Sequence, residues 1–191
     1  MKTASARSKN SRHSRKEPMV TLHVVASLDG FIASSDNTVA WMDSDGVYEK
    51  GVVVDDSAEV LQSIDCYVLG SRTYEHALEL GWPYGDTPTV VVTARKLPST
   101  RPTVEFYSGD LTKLVRETLA PRYRNIWMVG GAQLAQSFLK LGLVDEIRLM
   151  IAPVLLGNGL HLFGNSGAEQ KWRLRNVVAY RNGYLDVSYG R

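Results

Sequence analysis

Four short glycine-bearing segments hold most of the residues in this chain that could do chemistry. They are Ser27-Leu28-Asp29-Gly30-Phe31-Ile32-Ala33, Val68-Leu69-Gly70-Ser71-Arg72-Thr73, Met128-Val129-Gly130-Gly131-Ala132 and Pro153-Val154-Leu155-Leu156-Gly157-Asn158-Gly159. Each lies where an apolar run ends, and two lead straight into helix-patterned stretches. Glycine lets backbone N–H groups approach a ligand closely, and the N-terminus of a helix attracts phosphate. Nucleotide binding by an α/β protein is the chemistry this arrangement implies. A further segment, Thr93-Ala94-Arg95-Lys96, closes another apolar run with a hydroxyl and two cations, a set suited to a phosphate dianion. Asp29 in the first segment, then Asp45 beyond it, are carboxylates, a residue type that can orient a bound group or relay a proton. Either needs burial to raise its pKa before it can act as an acid near neutrality.

Composition bounds what these segments can belong to. At 191 residues with 44% apolar side chains, the chain fits one domain with a substantial core. Its one cysteine, Cys66, excludes an internal disulfide and suits a reducing, cytoplasmic compartment. Cys66 lies in an apolar run and reads as a small buried hydrophobe, not a nucleophile. His13, His23, His76 and His161 are scattered without metal-ligand spacing, so no metal is expected. No apolar run reaches the length of a membrane span. Residues 1–17 carry Lys2, Arg7, Lys9, Arg12, Arg15 and Lys16 against Glu17 alone, a surplus of five positive charges within a net charge of +2. The rest of the chain is therefore acidic, which argues against a dedicated nucleic-acid surface. Residues 1–18 are expected to be a disordered basic tail and 19–191 the folded domain.

The elements that must position the glycine segments are legible from periodicity. Met19–Ala26, Cys66–Leu69, Thr89–Thr93, Val104–Tyr107, Ile126–Val129 and Val144–Ile151 read as strands. Ser71–Leu80 and Ala132–Leu141 read as helices. A third helix follows Asp110, with Leu111, Leu114, Val115, Thr118 and Leu119 at α-helical spacing and Pro121 closing it. Asp56-x-x-Glu59 resembles a capping box opening a short helix through Ile64. The stretch from Ser27 to about Val52 reads as a long irregular loop, of the kind that is usually functional. Trp172–Tyr180 and Tyr184–Tyr189 flank Asn182-Gly183, the signature of a hairpin. The expected architecture is α/β: a mixed, mostly parallel central sheet, helices on both faces and an antiparallel C-terminal hairpin.

Taken in order, these segments resemble the dihydrofolate reductase-like superfamily. Within it the chain is most similar to the reductase domain of riboflavin biosynthesis, the C-terminal half of a bifunctional deaminase–reductase. The likeness spans roughly residues 19–190 and is most specific in Leu143-Val144-Asp145-Glu146-Ile147-Arg148-Leu149-Met150-Ile151-Ala152-Pro153-Val154-Leu155-Leu156-Gly157. It implies reduction of a pyrimidine- or pterin-like heterocycle by NADPH, often in a homodimer. It further implies that Gly130, Gly131, Ala132 and Gln133 carry the pyrophosphate near the nicotinamide. Gly70, Ser71, Arg72 and Thr73 would hold cofactor phosphates, and Thr93, Ala94, Arg95 and Lys96 would surround the 2′-phosphate. Ser27, Asp29 and Gly30 would lie over the nicotinamide and substrate ring. Leu156, Gly157 and Gly159 would wall the substrate pocket, with Trp41 and Asp43 or Asp45 beside it.

The chain departs from the resemblance at several points. Where related reductases have Gly-Arg-x-Thr, Ser71 stands at the arginine position and Arg72 is displaced by one residue. The run that helps bind the ribose phosphate in the biosynthetic enzyme is replaced by Gly70-Ser71-Arg72-Thr73-Tyr74-Glu75-His76-Ala77. Its Glu-Gly-Gly reads Val129-Gly130-Gly131, and the zinc-deaminase motifs are absent. A dihydrofolate reductase, a non-catalytic NADPH-binding module and nucleic-acid binding through the tail are the alternative readings.

Overall fold

The computed structural model describes residues 17–43, 46–53, 61–99, 101–164 and 168–191. The first strand, β1 (Met19–Ser27), is followed by a short β2 (Phe31–Ala33) and a 3-10 turn at Ala40–Met42. Then come β3 (Cys66–Gly70), α1 (Ser71–Glu79), β4 (Thr89–Val92) and β5 (Val104–Tyr107). A helix α2 begins at Leu111–Lys113 and passes into a π-helical turn, Leu114–Leu119. It leads to β6 (Asn125–Gly130), α3 (Ala132–Lys140), β7 (Glu146–Ala152), β8 (Leu160–His161), β9 (Arg173–Ala179) and β10 (Leu185–Gly190).

Eight strands form one sheet in the order β5-β4-β3-β6-β1-β7-β10-β9, and β2 pairs with β8 apart from it. From β5 to β7 every neighbour is parallel, whereas β10 runs antiparallel to both β7 and β9. The expected mixed sheet and C-terminal hairpin are therefore present. Six parallel strands also point their C-terminal ends to one edge. That edge carries the turns after β1, β3, β4, β6 and β7, where all the glycine segments and Thr93–Lys96 lie.

Helices cover both faces because successive strand residues alternate sides. On one face Val20, Leu22, Val68, Ile126 and Met128 pack with Leu114, Val115 and Leu119, and with Ala135, Phe138 and Leu139 of α3. On the other, Tyr74 and Ala77 of α1 pack over Tyr67, Leu69 and Val91. Cys66 is fully buried, and burial pushes its thiol up to about 12, as befits a packing residue.

Three local expectations need correction. The segment after Asp110 winds more widely than α-helical spacing implies, with Ala120 N–H donating to the Val115 carbonyl at 2.9 Å. The wider turn puts Leu114 and Leu119, five residues apart, on the same buried side. The loop after Ser27 is not wholly irregular, because β2 and β8 pair across it; elements of three and two residues are too short to show a period. Val144 and Asp145 precede β7 instead of opening it. The Asp56-x-x-Glu59 capping box and residues 1–16 of the tail lie outside the described residues. Among the described residues no helix is long and apolar enough to cross a membrane.

The sheet face that bears α1 continues into a polar cluster over β1, β7 and β10. Arg148 grips the buried Asp186 carboxylate through Nε, at 2.9 and 3.0 Å, and through Nη2. Next to it His23 stacks on Trp127 with ring centroids 4.2 Å apart, and Trp127 Nε1 donates to the His23 carbonyl at 2.8 Å. Burial, aided by the Arg148 cation and only partly opposed by Asp186, pushes His23 down to about 4. The unfolded chain protonates this imidazole near 6.5 while the fold keeps it neutral, so stability is full above about 6.5. It declines as pH falls through the window to about 4, by about 3 kcal/mol. Urea denaturation across that window should show the loss in the wild type and a flatter profile in His23→Phe. Parallel profiles would show that another group governs the acid limb.

Candidate functional site

Strands β3 and β6 are neighbours, yet their chains leave in opposite directions. The connection from β3 runs through α1 to β4 on one side, and that from β6 runs through α3 to β7 on the other. The two helices pack on opposite faces, so a crevice opens between the strand ends at this topological switch point. A bulge between Val68 and Leu69 sets Leu69 opposite Gly130 at its rim. Gly130 has φ +112°, a conformation closed to side-chain-bearing residues, and the peptide joining it to Gly131 is cis. The two turns meet backbone to backbone. A Cβ on Gly70 would lie 3.6 Å from the Gly130 carbonyl oxygen, and one on Gly131 would lie 3.5 Å from Thr73 Oγ1.

Both helices begin at this crevice without a side-chain cap among the described residues. Gly70 and Gly131 occupy the capping positions of α1 and α3, and neither start has a side-chain cap or an acid in its first turn. The first N–H groups of a helix have no partner within it, and the helix dipole makes that end attractive to anions. Two such ends side by side make a seat for a doubly charged phosphate group. Ser71, Arg72 and Thr73 line it from α1, and Ala132 and Gln133 from α3. Arg72 and Gln133 are exposed and Ala132 is buried.

Beyond β4, Thr93 and Arg95 form a tight turn in which Arg95 N–H donates to Thr93 Oγ1 at 3.0 Å. Ala94 and Lys96 are exposed beside it. The Arg95 guanidinium does not stand open. Its two Nη groups donate to both oxygens of Glu75, at 2.8 and 2.6 Å.

The loops after β1 and β7 are sewn together across the same edge. Leu28 N–H donates to the Val154 carbonyl, and Leu162 N–H to that of Gly30. Asp29 fastens the pair: its carboxylate accepts from Leu156 N–H at 3.1 Å, Gly157 N–H at 2.8 Å and Ser27 Oγ at 2.6 Å. Ser27 Oγ in turn accepts from Phe31 N–H at 2.9 Å. Gly159 has no room for a side chain, since a Cβ there would lie 2.2 Å from the Ala33 carbonyl oxygen. The Ser27 hydroxyl and the Leu156 and Gly157 amides hold Asp29 down at about 2. The expected proton-relay role for Asp29 is therefore corrected. A carboxylate stabilised by three donors stays ionised at neutral pH and acts as a clasp.

Trp41 packs near the end of β7, against the cluster of Ala152, Tyr180 and Tyr184 with Val25, Met150 and Val154. Its Nε1 is buried without a hydrogen-bond partner among the described residues. The Tyr184 hydroxyl donates to the Met42 carbonyl and anchors this turn to the C-terminal hairpin. Asp45 lies outside the described residues.

The family profile of the RibD C-terminal domain matches residues 18–185. The chain belongs to that family. It is 32% identical over 167 residues to the uncharacterised protein YwjB of Bacillus subtilis (strain 168), covering 86% of this chain and 93% of that one. It is 27% identical to the riboflavin biosynthesis protein RibD of Corynebacterium ammoniagenes, over 78% of this chain and 47% of that longer protein. A solved structure from Shewanella sp. PV-4, provisionally assigned to riboflavin biosynthesis, superimposes with a TM-score of 0.78 at 23% identity, covering 91% and 98% of the two chains. A RibD-type deaminase/reductase from Thermotoga maritima superimposes with a TM-score of 0.64 at 15% identity, covering 91% of this chain and 56% of that one. The fold is thus the dihydrofolate reductase-like fold of RibD reductase domains.

Within this RibD-type frame, the structure adds residues that sequence reasoning left aside. Glu75 was visible only as part of a run that departs from the biosynthetic enzyme; its pairing across 20 residues has no local signature. Leu28 and Leu155, at 61% and 69% exposure, put apolar surface on the two clasped loops, where a ring could rest. The clasp itself is testable by hydrogen exchange. Asp29→Asn should speed exchange at the Leu156 and Gly157 amides and leave β1 and β7 unchanged. In the wild type their protection should persist to about pH 3 and fade as pH drops through about 2, where the carboxylate takes a proton. Unchanged exchange in the variant would show that Asp29 does not hold the turn.

Proposed function

We propose that this RibD-family chain is an NADPH-dependent reductase of a pyrimidine- or pterin-like heterocycle, acting on a substrate similar to the aminouracil of riboflavin biosynthesis. One observation carries the proposal: two uncapped helix N-termini abut across the β3–β6 crevice, with acid-free first turns and glycine backbone at the contact. These residues fit a pyrophosphate. Ser71–Thr73 and Ala132–Gln133 would hold it, and the bound nicotinamide would supply a hydride for a C=N or C=O carbon.

The chain's own residues position and shield. Gly130 and Gly131 would let the backbone come close to the dinucleotide, and the Thr73 hydroxyl, beside Gly131, would donate to a phosphate oxygen. The clasped loops would set Ser27, Gly30, Leu156, Gly157 and Gly159 beside the ring, with Trp41 further along the same edge. Holding donor and acceptor carbons within about 3–3.5 Å and keeping water out is the protein's contribution to the rate. Asp29 keeps that geometry as an ionised clasp, and the proton that accompanies the hydride would be delivered by water or an acid. Family membership favours the aminouracil branch over the folate alternative.

Calorimetric titration of the full chain with NADPH should show binding, weakened about tenfold or more in Thr73→Val, because a hydrogen bond to a charged phosphate is lost. The unliganded melting temperature should not change. NADPH oxidation should accompany addition of at least one member of a panel of aminouracils and pterins. Binding without turnover on that panel would favour the non-catalytic module, and no binding would reject the proposal.

A further inference from the structure

We infer that Glu75 is a specificity-determining residue: it occupies the two-pronged Arg95 seat that the 2′-phosphate of NADPH would take, and so narrows the preference for NADPH over NADH. The inference rests on the dinucleotide reading above and deepens it.

A carboxylate and a phosphate present the same pair of acceptor oxygens to a guanidinium fork. In this structure that fork is filled from within. Arg95 Nη1 reaches Glu75 Oε2 at 2.8 Å and Nη2 reaches Oε1 at 2.6 Å. Both side chains are accessible, Arg95 at 55% and Glu75 at 40%, so an incoming anion can compete for the guanidinium. The Arg95 hydrogen bonds, with smaller help from the charges of Arg95 and Arg72, hold the Glu75 carboxyl below its usual range. Glu75 is thus paired with Arg95 and feels the charge of Arg72 at the strand end where a 2′-phosphate would lie.

The turn that carries Arg95 does not depend on Glu75. Arg95 N–H is held by Thr93 Oγ1, Thr93 N–H donates to the Tyr107 carbonyl at 2.9 Å, and the Tyr74 hydroxyl donates to the Pro98 carbonyl at 3.0 Å. Releasing the guanidinium therefore leaves its backbone in place and its charge free. A neutral ribose 2′-hydroxyl has no quarrel with Glu75, and a carboxylate is the usual acceptor for it. A phosphate dianion must both displace the carboxylate and sit beside its negative charge. The two cofactors consequently feel Glu75 with opposite sign.

The test is calorimetric titration of the wild type, Glu75→Gln, Arg95→Gln and the double variant with NADPH and NADH at one fixed low salt concentration. An exposed fork of this kind couples by a factor of about two to five. Glu75→Gln should therefore bind NADPH about two- to fivefold more tightly and NADH equally or less tightly. Arg95→Gln should lose NADPH preference, and adding Glu75→Gln to it should not restore the ratio. Glu75→Ala serves as the second variant and should shift the ratio in the same direction. The inference falls alone if both cofactors bind and the ratio is unmoved or reduced. It also falls if the shift survives in the Arg95→Gln background, which would make it a general charge effect. If neither cofactor binds the wild type, the dinucleotide reading fails and takes this inference with it.

Discussion

The organising constraint is that a helix cannot satisfy its own first amides. In α1 and α3 those amides are left without side-chain caps, and the two helix starts are brought together by strand order. β3 and β6 lie side by side while their helices pack on opposite faces, so the ends face a shared crevice instead of each other's side chains. The cores under α1 and α3 hold each helix on its face: Tyr74 and Ala77 anchor one, Ala135, Phe138 and Leu139 the other. An anion bridging both ends would complete what the polypeptide leaves open.

The rest of the edge serves that opening. The β1 and β7 loops are tied by backbone pairing, by the stack of Phe31 on His161 at 4.0 Å and by the Asp29 clasp. The same physics that makes Asp29 a firm clasp, three donors on one carboxylate, makes it a poor acid near neutrality. Away from the edge, charges are neutralised in place: Arg148 by Asp186 and Arg122 by Glu105, with His23 kept neutral. Arg95 and Glu75 also pair, but at the edge itself, exposed to solvent and placed where a ligand phosphate is expected.

Much of the architecture was legible in the chain because its signals are local. The runs Cys66–Leu69, Val104–Tyr107 and Asn182-Gly183 specify strands and a hairpin from a few adjacent side chains, and the structure places them there. Spatial order is not local. Nothing in Asn125–Gly130 says that it inserts between β1 and β3, yet that insertion creates the crevice. The residues of Thr93–Lys96 and the glycine turns could be singled out by type, but their relations could not. The partners of Asp29 lie 127 and 128 residues away, and Arg95 finds Glu75 only because parallel β3 and β4 bring the start of α1 beside the end of β4. The π-helical turn escaped because Leu111, Leu114, Val115, Thr118 and Leu119 together also satisfy an α-helical pattern.

The most direct measurement is a crystal structure of the full chain grown with NADPH. The account predicts a pyrophosphate in the β3–β6 crevice, its oxygens within hydrogen-bonding distance of backbone amides at the starts of both α1 and α3. A dinucleotide ordered elsewhere on the molecule, with those amides facing only water, would contradict it.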